Sequence, residues 1–141
     1  MTWRHHEVRQ SGQCTVLDKD VEELVGYEVG VVETGRSRVF AAYFVKIMLR
    51  DDEEIVVQDG GSMVGALRSL VCNISPRGLR LHCVGLSHDW QESGLSANTG
   101  WGYFGSEQRL MHMMEEVPPH PDEPLDRMVR EAVEGIRIGL A

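Results

Sequence analysis

Two β-rich runs separated by a short polar loop constrain this chain more than any other feature. Residues 27–34 and 39–49 are dominated by valine, phenylalanine, tyrosine and isoleucine, and Gly35-Arg36-Ser37-Arg38 stands between them. Such side chains fit a pleated, half-buried surface, and a glycine-containing loop of this length folds one strand back on the other. A hairpin commits the chain to a sheet. The second run is apolar on both faces as far as Val45, the pattern of a central strand covered from both sides.

Around this hairpin the other elements fall into place. Residues 13–17 carry a weak strand signal, and Asp18 is positioned to cap a short helix running to Val25, with Gly26 as its stop. After the turn Arg50-Asp51-Asp52-Glu53, residues 54–58 read as a short strand. Asp59-Gly60-Gly61-Ser62 breaks it and opens a helix in which Met63, Val64, Leu67, Leu70 and Val71 share one face. A turn at Ser75-Pro76-Arg77-Gly78 ends the helix, and residues 79–86 read as another strand. Residues 101–104 suggest a short strand inside a long connection, while residues 106–117 fit a helix or a strand equally well. Pro118, Pro119, Pro121 and Pro124 make 118–124 a stiff linker. Beyond it Leu125, Met128, Val129, Ala132, Val133 and Ile136 form the stripe of an amphipathic helix. The expected fold is α+β: a mainly antiparallel sheet with a central helix and a C-terminal amphipathic helix, in a single domain over residues 1–141.

Composition narrows the class of partner. A formal charge of −8 with only two lysines, Lys19 and Lys46, disfavours nucleic acid and anionic membranes, whose affinity rests on clustered cations. A basic protein partner or simple solubility remains, and solubility is the commoner reason for an acidic surface. The N-terminus lacks an apolar leader core, and no apolar run approaches the roughly 20 residues of a membrane span. Cys14, Cys72 and Cys83 cannot all pair within the chain, so the expectation is a cytoplasmic protein with free thiols.

Several constellations carry potential chemistry. The 59–65 loop joins strand to helix as phosphate loops do, but Ala66-Leu67 stands where a Lys-Ser/Thr pair is needed. It reads as a turn with an N-cap. His82, Cys83, His88 and Asp89, with Cys72 or His112, hold metal-capable atoms without the paired short spacings of a zinc site. Met111, Met113 and Met114 beside His112 invite a copper reading, which core packing explains more simply. The expectation is therefore no metal and no cofactor.

Residues 87–105 stand apart. Ser87-His88-Asp89-Trp90-Gln91-Glu92-Ser93 gathers an imidazole, two carboxylates and hydroxyls, the ingredients of acid/base catalysis, without a framing nucleophile motif. Trp90, Trp101, Tyr103 and Phe104 lie among glycines, serines and Asn98, a mixture favoured at binding surfaces and equally suited to aromatics that turn inward and pin a long loop onto the sheet. Trp90, flanked by polar residues, is the expected exposed anchor, with Glu92, Asn98, Trp101 and Tyr103 around it.

In size, acidity and lack of a catalytic motif the chain resembles small acidic immunity or antitoxin proteins that neutralise bacterial toxins, and small phage and bacterial regulators that act by binding. That profile implies a non-enzymatic interaction module or inhibitor. A small hydrolase or transferase using His88, Asp89 and Glu92 is the alternative. A structural subunit of a homo-oligomer, dimerising through an edge strand or the C-terminal helix, is the third reading.

Overall fold

The computed structural model describes residues 4–93 and 99–117. The proline-rich linker, the segment expected to form a C-terminal helix, and Asn98 lie outside the described residues. Strands β1 (Arg4–Asp18), β2 (Val21–Thr34), β3 (Val39–Met48) and β4 (Glu54–Asp59) lead into helix α1 (Met63–Ile74). After them come β5 (Leu79–His82), β6 (Trp90–Glu92), β7 (Trp101–Phe104) and β8 (Arg109–His112). The first five strands form one sheet in the order β4-β3-β2-β1-β5, and the last three form a second, β6-β7-β8. Every pairing is antiparallel.

The β2–β3 hairpin folds as its sequence demands, in register from Thr34↔Val39 to Gly26↔Met48. β3 is interior, and Val45 and Ile47 on one face and Ala42 and Phe44 on the other are all buried. Its first residues are not covered: Val39 and Phe40 are 61% and 46% exposed. The expected helix over residues 18–25 is absent. Lys19 and Asp20 both take left-handed backbone angles, φ 49° and 70°, and Asp18 pairs with Val21 across them. That is a two-residue hairpin turn, whose twist matches the strands it joins. Val21, Leu24 and Val25 satisfy a helical spacing locally, but the long ladder with β1 hydrogen-bonds the backbone of this segment instead. Likewise β1 spans far more than the five residues expected of it.

Helix α1 begins where expected. The Ser62 Oγ accepts the Gly65 N–H at 2.8 Å, and Met63, Leu67, Leu70 and Val71 are buried with Ala66 and Ile74. Only Val64 of the expected stripe is half-buried. The helix and the small sheet pack on the same face of the large sheet. One core holds Val16, Tyr27, Val29, Val45 and Ile47 together with Leu67, Leu70, Trp90, Met111, Met113 and Met114. The strand expected over residues 79–86 ends at His82. There the chain turns through Val84–Leu86, and the Val84 and Gly85 amides donate to the carbonyls of Glu115 (2.7 Å) and Met113 (2.9 Å). Residues 106–117 resolve into the short strand β8 followed by a turn, because Arg109–His112 completes a ladder with β7. No helix among the described residues is long and apolar enough to cross a membrane.

Candidate functional site

The small sheet rests on Trp90. Its side chain is 6% exposed, and the indole Nε1 donates to the Met111 carbonyl at 3.0 Å. A buried indole N–H requires such a partner. The ring lies so close to β7 that a Cβ on Gly102 would stand 2.6 Å from it, so only glycine fits there. The expectation of an exposed Trp90 is therefore corrected. Its polar neighbours, Asp89 and Gln91, mark a strand: adjacent side chains point to opposite faces, so polar flanks accompany an inward tryptophan.

His112 is the second pin. Its ring lies 5.8 Å from Tyr27 in a stacked arrangement and 5.3 Å from Trp101, edge-on. Nδ1 accepts the Met114 N–H at 3.2 Å, which leaves the proton on Nε2 to be donated to the Thr99 carbonyl at 2.6 Å. Both nitrogens are used by a neutral ring, and burial holds its pKa below the ordinary histidine value. This geometry makes His112 a structural group. Met111, Met113 and Met114 are buried in the core, and among the described residues no three His, Cys, Asp or Glu side chains converge on a metal position. The thiols of Cys14 and Cys83 are buried, and desolvation pushes that of Cys14 up to about 12.

The opposite, solvent-facing side of the small sheet carries the candidate site. Gln91, Tyr103 and Leu110 lie side by side across the three strands, with Tyr103 44% and Leu110 56% exposed. Next to this row is an open cleft of about 480 Å³, lined by His88, Asp89, Gln91, Glu92, Ser93 and Tyr103, with Gly105 and Gln108 from the β7–β8 turn. The turn is held against the cleft by the Gly105 N–H, which donates to the Asp89 carbonyl at 2.8 Å. The Ser87 Oγ accepts the Asp89 N–H at 3.2 Å and shapes the approach, as its position before β6 suggests.

Two carboxylates and no lysine or arginine line this cleft. Among the described residues neither Asp89 nor Glu92 forms an ion pair. Glu92 is half-buried. Desolvation raises its pKa, opposed by a hydrogen bond from the Val64 N–H at the start of α1, and its Oε1 is buried without a hydrogen-bond partner. Thus the structure brings Glu92 and Tyr103 together, and adds His88 and Asp89. It sets Trp90 beneath them and Trp101, half-buried, against His112. Gln108 is the lining residue that lies outside the 87–105 stretch singled out in the sequence. Its signal was Gly105, which opens a four-residue loop as Gly35 does.

His88, Asp89 and Glu92 share the cleft. General acid/base chemistry calls for groups that converge within hydrogen-bond reach of one another or of a substrate. His88 is exposed and makes no hydrogen bond to either carboxylate. The chain matches no known family model and no curated protein.

Proposed function

We propose that the chain is a non-enzymatic interaction module and that the solvent face of its small sheet contacts a basic protein partner. One observation carries this reading: an exposed tyrosine stands over a cleft whose charged lining is only acidic. A cationic side chain entering there meets the exposed Asp89 first, with the half-buried Glu92 at the cleft wall, and it meets the face of Tyr103, to which cations are attracted. Trp90 supports the surface from below, since rigid aromatic contacts need a fixed base. Immunity-type or inhibitor activity against a basic protein is the form of function this arrangement suits.

The test is a titration of a captured partner with parent protein and with Tyr103→Ala. Loss of an interface anchor typically costs about 2 kcal/mol, roughly thirtyfold in affinity. The melting temperature should stay that of the parent. An unchanged affinity removes the small sheet from the interface. Substrate turnover abolished by His88→Ala would replace the module with an enzyme.

A further inference from the structure

At the hairpin tip of the large sheet stands a surface of opposite charge. Arg36, Ser37 and Arg38 form the exposed β2–β3 turn, and Arg4 lies beside it, in register with Thr34. Among the described residues none of these three arginines takes part in an ion pair. In a chain of net charge −8, three arginines without an ion pair, at the head of β1 and in the adjoining turn, concentrate positive charge at this end of the sheet.

Directly after the turn the chain exposes Val39 and Phe40, at 61% and 46%. A register shift between Val32 and Glu33 on β2 leaves Ala41 as a bulge, and Phe40 packs its ring 4.9 Å from Tyr43. β4 pairs with β3 only from Tyr43 to Met48. On the side away from β2, the backbone of residues 39–42 has no strand partner among the described residues, and the chain leaving β4 approaches it only at Gly60, near the Ala41 carbonyl. Unpaired edges are normally protected by charge, bulges or proline. The unpaired edge of β1, residues 4–13, is protected in this way: it carries Arg4, Glu7 and Arg9 and is bulged at Arg9. The edge at Val-Phe-Ala-Ala is bulged too, at Ala41, but its side chains are apolar and its arginines stand only at its head.

We propose that this tip is a second interaction surface, which accepts an extended acidic peptide segment as an added strand beside residues 39–42. The strand edge offers main-chain hydrogen bonds, Phe40 and Tyr43 offer an apolar contact, and Arg36 and Arg38 hold carboxylates. A peptide satisfies all three features. A nucleic acid cannot add a strand to a sheet edge, and three arginines are a small footprint for a long polyanion, whose affinity grows with the number of phosphates neutralised.

The experiment measures fluorescence anisotropy of a labelled octapeptide alternating glutamate with valine or phenylalanine, titrated with the full chain. Three further probes run beside it: the same peptide with lysine for glutamate, the peptide N-methylated at alternate amides, and a 20-base-pair DNA duplex. The acidic peptide should bind, the lysine version should not, and N-methylation should weaken binding at least about tenfold, because it removes main-chain donors while keeping charge. The double variant Arg36→Glu/Arg38→Glu should lose at least about tenfold on the acidic peptide with an unchanged melting temperature, while Arg36→Lys/Arg38→Lys keeps part of the affinity. The proposal is overturned if the peptide does not bind, if the charge-reversed variant binds it equally, if N-methylation has no effect, or if DNA binds more tightly. It is also overturned if the free protein dimerises through this edge, shown by a doubled mass that Phe40→Lys abolishes.

Discussion

Two hairpins of this protein share one turn and use it differently. Gly35 and Gly105 both open their loops at φ 76°, and Arg38 and Gln108 both close them at φ 52°. The closing amide donates to the glycine carbonyl in each, at 3.2 Å and 3.1 Å. Yet the β2–β3 turn leads cationic side chains onto an apolar, unpaired edge, while the β7–β8 turn folds over an acidic cleft and is tied to the Asp89 carbonyl. Backbone geometry is set by glycine's access to positive φ. What the turn can recognise is set by neighbouring residues and by whether the next strand has a partner.

That contrast can be broken at its foundations first. Trp90→Ala removes the side chain on which the small sheet rests and should cost about 3–5 kcal/mol of stability. Thermal unfolding checks this, and a parent-like melting temperature would mean that the small sheet stands without its anchor. The large sheet's tip has no equivalent: Phe40→Ala, at a half-exposed position, should change stability by no more than about 0.5 kcal/mol. Equal losses at the two positions would erase the distinction between a supported surface and an open edge.

The shared turn gives a sharper and smaller test. Gly35→Ala and Gly105→Ala each force a Cβ into left-handed backbone, at about 1 kcal/mol, and neither added Cβ meets another atom within 4 Å. Denaturant unfolding should therefore show similar losses. A much larger loss at Gly105 would mean that the cleft wall depends on its turn more than the tip does.

The smallest effect is in pH dependence, and it belongs to the small sheet. The pKa of His112 is lowered in the fold by burial, so the unfolded chain takes up its proton first as pH falls. Its contribution is full above the unfolded value of about 6.5 and is lost as pH falls through the depressed folded pKa. Glu92 runs the other way. Burial raises its pKa, so the folded chain holds its proton more tightly, and this contribution is full below about 4.3 and lost as pH rises through the folded value. Melting curves across this range should lose the first slope in His112→Gln and the second in Glu92→Gln.

Local signals were legible wherever a residue's task is set by its neighbours in sequence. The Gly35 loop, the Ser62 cap and the stripe of α1 needed no tertiary knowledge, because turn geometry, capping and helical period are properties of a few consecutive residues. The 18–25 segment shows the limit. Asp18 and the 21, 24, 25 spacing serve a helix as well as a turn and strand, and only the ladder with β1 chose between them. Trp90 shows it again. Polar flanks mean exposure in a loop and burial in a strand, and β6 exists as a strand because β7 lies beside it.

By itself, the sequence determined the antiparallel hairpin, the helix that follows β4, the acidic balance and the chemical character of residues 87–105. These follow from side-chain pattern and charge, which the chain carries wherever it goes. Tertiary structure decided which aromatic became core and which stayed on the surface, that His88, Asp89 and Glu92 line one cleft, and that Arg4 stands opposite Thr34 at the foot of the turn bearing Arg36 and Arg38. Each of these depends on strand register between distant segments, and register is fixed by which faces can be buried together rather than by any residue alone.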